Sequence, residues 1–245
     1  MSLLVVNTFS SAYESWTTRH ATQQESIEHY KREGSFLSFV NDKLIAVIRE
    51  HFSAAEYMAQ RGADNGLENH IDRFLDQDTN YKSWRSHMPS KTPLSITKFQ
   101  QNYPQYNQSD VDADINSIGR TLSDGQFLFH GGLWFSSSEN EVTLRKPFST
   151  SFCPQVALRN AEWGGKAYDQ GQIDLLVLRV SNPKTNVFAY KRKGTRMGNE
   201  KEVLFASGAT VKLRNRTLVR DDYVVGKYNH PNKNVPIYVI EVDIS

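Results

Sequence analysis

A single cysteine, Cys153, stands among 245 residues, so no internal disulfide can form. A reducing compartment is then the simplest home. No apolar run approaches the roughly 18 residues of a membrane-spanning helix, so no membrane contact is expected. Met1-Ser-Leu-Leu-Val-Val-Asn7 has neither a basic stretch nor an apolar core long enough for a secretory leader. The expectation is a cytoplasmic protein, one that a specialised machine would have to deliver if it acts outside the cell that makes it. The seven histidines form no HExxH and no Cys/His cluster, so no metal is expected. Internal repeats and low-complexity segments are absent too.

Net charge is only +2 but unevenly spread. Residues 184–233 hold 12 Lys/Arg against 4 Asp/Glu, whereas residues 1–183 hold 17 against 21. Such a basic stretch sets up a local field that biases which partners approach, or it is simply a solvated set of strand faces and loops.

The chain changes character near residue 122. Before it, the pattern is helical: Phe36, Leu37, Val40, Leu44, Val47 and Ile48 recur at spacings of three and four. Ser53-Ala-Ala-Glu56 has the spacing of a capping box. Leu67, Ile71, Phe74 and Leu75 form a second apolar stripe, and Ser109 precedes a third at Val111, Ile115 and Ile118. The polar stretch 77–108, with prolines at 89, 93 and 104, reads as a long connection with one short helix. After residue 125 come short β-branched and aromatic runs bounded by Gly, Pro and Asn, interrupted by one helix over 156–163. Helices first and strands later predict an α+β fold, with a helical region over 1–122 packed on a β-core over 123–245, or one continuous domain.

Three short motifs carry chemistry. Glu200 and Glu202 flank Lys201 at the entry to an apolar strand; two residues apart on a strand, their carboxylates share a face and repel. Ser149-Thr150-Ser151 offers hydroxyls that can donate to a carboxylate and fix its rotamer, or can serve a turn. His130-Gly131-Gly132 closes an apolar strand, where a glycine lets the backbone approach a ligand.

In this order and spacing the motifs resemble the ADP-ribosyltransferase fold family. Phe148-Ser-Thr-Ser-Phe-Cys-Pro-Gln-Val-Ala-Leu158 is similar to the family's serine strand and the helix after it. Glu200-Lys-Glu-Val-Leu-Phe-Ala-Ser-Gly208 and Val211-Lys-Leu213 resemble the strands of the arginine–serine–glutamate class. Asp114–Leu122 is similar to the helix before the first motif. The likeness covers roughly 110–244 and leaves 1–109 unassigned. One position departs from the class: His130 stands where it has an arginine, and is similar instead to the histidine–tyrosine–glutamate branch.

The resemblance implies a mixed two-sheet β-core and a toxin-like enzyme, in the manner of a bacterial or phage toxin, that cleaves NAD as co-substrate and transfers ADP-ribose to a macromolecular acceptor. It places Glu202 on the nicotinamide ribose, Ser149 behind it as orienting donor, and Glu200 toward the acceptor. His130 and Gly131 would bind the adenosine ribose and the nicotinamide amide, with Thr150 and Ser151 lining the cofactor. Arg145 and Arg159 are both candidates for the pyrophosphate. Trp163 or Tyr168 could stack on nicotinamide, although core packing is the better expectation for Trp163. Protein arginine is the acceptor that the family implies for a carboxylate at Glu200; the basic residues Lys191, Arg192, Lys193 and Arg196 point equally to nucleic acid, RNA especially. NAD hydrolysis with water as acceptor and a non-catalytic module for NAD or a partner are the alternatives, and an antitoxin or inhibitor is a conceivable partner.

Overall fold

The computed structural model describes residues 2–135, 139–193 and 197–245. The chain forms two compact units: Phe9–Glu50, and Met1–Thr8 with His51–Ser245. The boundary drawn near residue 122 therefore falls inside the larger unit.

In the smaller unit, β1 (Tyr13–His20) pairs antiparallel with β2 (Phe39–Ile48) around α1 (Gln23–Glu33). Thr22 and Glu25 form a reciprocal capping box on α1, and Gly34 ends it with φ of 72°. The helix expected over 36–48 is thus a strand. Asn41 and Asp42 are poor helix formers, and Val40, Ile45, Val47 and Ile48 are β-branched. The continuous run Leu44–Ile48 fits either period, and pairing with β1 decides.

The larger unit opens with five helices: α2 (His51–Arg61), α3 (Asn65–Gln77), α4 (Thr79–His87), α5 (Leu94–Asn102) and α6 (Gln108–Ile118). Ser53 lies inside α2 rather than capping it. Asp64 caps α3, accepting from the Gly66 N–H at 2.8 Å, and Leu67, Ile71 and Leu75 form its buried stripe. The stretch expected to be mostly connection carries two helices, α4 and α5, anchored by buried Tyr81, Trp84, Ile96 and Phe99.

The remaining elements are β3 (Arg120–Thr121), β4 (Phe127–Gly132), β5 (Glu141–Thr143), β6 (Phe148–Ser151), α7 (Pro154–Glu162), α8 (Lys166–Gln170), β7 (Ile173–Val180), β8 (Asn186–Ala189), β9 (Glu202–Phe205), β10 (Thr210–Lys227) and β11 (His230–Ile244). The strands join in the order β3-β8-β9-β6-β4-β7-β11-β10-β5. β7 and β11 pair in parallel, the other neighbours antiparallel, so the sheet is mixed and the fold is α+β. Residues 173–178 of β7 are all buried, as the apolar run Leu175–Leu178 requires beside a parallel neighbour, and the buried Asp174 is paired with Arg216. The two expected sheets are continuous: the half β3-β8-β9-β6 meets the half β4-β7-β11-β10-β5 where Phe129 of β4 pairs with Ser151 of β6. His130, Ser149 and Glu202 all lie on strands next to this junction.

Candidate active site

Glu202 begins β9, opposite Ser151 of β6. It is only 5% exposed, and both carboxylate oxygens are held. Ser149 Oγ donates to Oε1 at 2.6 Å, and Gln100 Nε2, from α5, donates to Oε2 at 2.7 Å. Burial pushes the carboxyl up and the Glu200 charge adds to this; the bonds from Ser149 and Gln100 work against both, leaving it at about 7.

Glu200 does not share a strand with Glu202. It ends a single 3-10 turn over Gly198–Glu200, and Lys201 follows in the left-handed region at φ of 51°. The two carboxylates are brought together by a turn, not by strand alternation. Glu200 is half-buried; burial raises its pKa and the charge of Arg159 lowers it in part. Between them Lys201 is buried, its ammonium bonded to Glu68 Oε1 at 2.9 Å, the Asn199 carbonyl at 2.8 Å and Asp72 Oδ2 at 3.2 Å.

The serine strand spends its hydroxyls unevenly. Ser149 faces Glu202, whereas Thr150 Oγ1 donates to the Val203 carbonyl and Ser151 Oγ to the Glu200 carbonyl, both at 2.7 Å. Ser151 thus ties the turn at Glu200 to β6, and Thr150 ties β9 to β6 one residue after Glu202.

His130 Nδ1–H donates to the Ser149 carbonyl at 2.8 Å, and the ring lies 4.4 Å from that of Phe148. Burial pushes the imidazole down to about 4 against the raising effect of that bond, and the Lys166 charge lowers it further. Near neutral pH the ring is uncharged, with the proton on Nδ1 and a lone pair on Nε2, so it can accept a hydrogen bond but carries no charge.

Gly131 is explained by packing. A Cβ there would sit 1.8 Å from the Ala157 carbonyl oxygen of α7. Gly131→Ala should therefore cost on the order of 2 kcal/mol as α7 is pushed off β4, readable as a lower urea midpoint with unchanged m-value. An unchanged midpoint would show that α7 shifts freely.

The other candidates are scattered. Arg159 pairs with Glu68, beside Lys201, and its charge reaches Glu200. Arg145 is exposed between β5 and β6. Trp163 is 76% exposed, so core packing is not its role: α7 ends at Glu162 and the turn Trp163–Gly165 carries the ring out to solvent. Tyr168 packs under Lys233, whose Nζ lies 4.4 Å from the ring centre, and beside His230, at the start of β11 rather than at Glu202. Cys153 is buried with its thiol pushed up to about 11 by burial, which leaves it unreactive. Arg196 lies outside the described residues.

Sequence reasoning missed Gln100, Glu68, Asp72 and the anchoring role of Lys201. Only Lys201 left a trace, as the cation between two acids. Among the described residues no group of His, Cys, Asp or Glu could hold a metal ion, and no helix is long and apolar enough to cross a membrane.

No family model matches the chain, and no curated protein does. Among solved structures, the chain is similar to Plx2a, an ADP-ribosyltransferase toxin from Paenibacillus larvae, at 12% identity and TM-score 0.42, covering 73% of this chain and 96% of that one. It is similar to the ADP-ribosyltransferase Vis, from Vibrio splendidus, bound to an inhibitor: 16% identity, TM-score 0.36, covering 79% and 72%. It is also similar to the enzymatic component C2-I of the Clostridium botulinum C2 toxin at 11% identity and TM-score 0.39, covering 66% of this chain and 45% of that one.

Proposed function

We propose that this protein is an NAD-dependent mono-ADP-ribosyltransferase that modifies a macromolecule. The observation that carries the proposal is Glu202: a buried carboxylate gripped on both oxygens, with a second carboxylate, Glu200, near enough to raise its pKa. Breaking the nicotinamide–ribose bond sends the electron pair out with nicotinamide and leaves positive charge on the ribose. A fixed carboxylate in a site shielded from water stabilises that charge as it forms. The acceptor nucleophile then bonds to the same carbon and gives its proton to Glu200. Neutral His130 supplies an acceptor lone pair at Nε2 for a sugar hydroxyl. Ser149 orients Glu202, and Thr150 and Ser151 hold the segment bearing both acids. Arg145 is the cation left for the pyrophosphate, since Arg159 is engaged by Glu68.

The test is incubation with NAD labelled in its adenylate half, in total lysate, followed by separation of polymer-bound label from free ADP-ribose. Transfer should dominate, and Glu200→Gln should divert product toward free ADP-ribose while nicotinamide release continues. Free ADP-ribose alone from the wild type would assign NAD hydrolysis instead. No nicotinamide release at all would leave a binding module.

A further inference from the structure

A cavity of about 400 Å³ opens beside the end of β8. Among the described residues its wall carries five cations: Lys82 and Arg85 from α4, and Lys191, Arg192 and Lys193 from the segment after β8. Asp76 is the one acid on the wall, and Lys193 Nζ pairs with it at 2.9 Å. Arg192 is nine-tenths buried. Its terminal nitrogens bond to Asp72 and Asp76, but its Nε is buried with no partner among the described residues. A buried N–H donor left unmet is costly, so Arg192 is held in this place against that cost by its bonds to Asp72 and Asp76.

The cavity is tied to the site described above. Tyr190, immediately before Lys191, donates its backbone N–H to the Glu202 carbonyl at 3.0 Å. Arg85 donates to the Ala189 carbonyl. Asp72 bridges Arg192 of the cavity wall and Lys201 of the glutamate turn. The cavity wall is thus linked, through Asp72 and the backbone of Tyr190, to the turn that bears Glu200 and Glu202.

We infer that this cavity is the phosphate-binding subsite through which a single-stranded nucleic acid is presented as acceptor. The inference rests on the transferase reading and names the acceptor class that reading leaves open. The five cations outnumber Asp76 and Asp72, the carboxylates paired with Arg192 and Lys193, so the wall keeps a net positive charge that suits a phosphodiester chain, which carries one negative charge per nucleotide. Tyr81, on the same wall, is buried with its ring 5.8 Å from the Arg192 guanidinium, so the floor is fixed. The basic stretch 184–233 extends the same field beyond the cavity.

The test is direct binding of a dye-labelled single-stranded RNA of about 12 nucleotides to the full chain, without NAD, across salt concentrations. Lys82→Glu combined with Lys191→Glu and Lys193→Glu reverses three exposed charges with little demand on folding. It should weaken binding at least about tenfold and flatten the slope of log affinity against log salt by about two. Lys31→Glu, an exposed lysine on α1 of the smaller unit and outside the basic stretch, should bind like the wild type. Equal binding by the triple variant overturns the inference. Displacement of the RNA by saturating NAD overturns it too, because the cavity would then hold the cofactor's pyrophosphate. Equal capture of a poly-glutamate peptide would assign the cavity to an acidic protein. The two readings fail separately: lost NAD cleavage with intact RNA binding removes the transferase and keeps the cavity, and the reverse removes the cavity alone.

Discussion

Glu202→Gln should lower kcat for nicotinamide release by about 10²–10³-fold while NAD binding changes little. The amide keeps nearly the same shape and can still accept from Ser149, but it carries no charge to set against a cationic ribose. The wild-type pH profile should show why the charge matters. With Glu202 titrating at about 7, activity should rise through neutral pH and level off above it. Ser149→Ala removes a bond that favours the carboxylate, so the rising limb should move to higher pH; a limb that stays put would assign the titration elsewhere. Stability should run the other way. A carboxyl raised from 4.5 to about 7 on folding contributes stability fully present below 4.5 and lost as pH rises through 7. Glu202→Gln should therefore melt higher than the wild type at pH 8 and nearly the same at pH 4. An active Glu202→Gln enzyme would end this mechanism.

The strands of the β-core were legible because their signal is local: β-branched runs between glycine, proline and asparagine predict β4, β7, β8 and β9 close to where they stand, and the C-terminal half of β11 from Ile237, whose first half is too polar to read as a strand. The pairing order is not local, so the junction at Phe129 and Ser151 had no sequence trace. Helical stripes read correctly at Leu67–Leu75 and failed at Phe36–Ile48, where a continuous apolar run satisfies both periods. Short helices α4 and α5 escaped because each buries only two large side chains within a polar stretch. At the site, Ser149 and Glu202 announced themselves by motif. Gln100 could not, since it reaches Glu202 across 102 positions of sequence and glutamine on a polar helix looks like any solvated residue. Residues 1–109, with no family likeness, thus contribute a direct bond to the central carboxylate.

Lys201→Met should destabilise the fold by about 3–5 kcal/mol and lower activity besides. The side chain is wholly buried, and its ammonium places one N–H each toward Glu68, Asp72 and the Asn199 carbonyl. Methionine fills nearly the same volume, so the loss is that of the cation. Arg159 and Gln155 still hold one oxygen of Glu68, and Arg192 still holds Asp72, but the oxygen of Glu68 that faced Lys201 is left short of a donor. Burial pushes the Glu68 carboxyl up; the bond and charge of Lys201, with the charge of Arg159, outweigh it and hold the group below its ordinary value. Its contribution to stability is therefore present above that ordinary value and lost as pH falls through the lowered one. Lys201→Met should flatten this acid limb, which a plain cavity would not do. The activity loss follows from the backbone. Lys201 is held in a left-handed conformation that costs a non-glycine residue about 1 kcal/mol, and the ion pairs to α3 offset that cost and fix the turn placing Glu200 beside Glu202. Released from α3, the turn should relax and the acids should separate. Chemical denaturation at pH 7 and pH 4, with kcat and KM measured on the folded variant, checks both halves. A variant as stable as the wild type would show that α3 does not carry the turn.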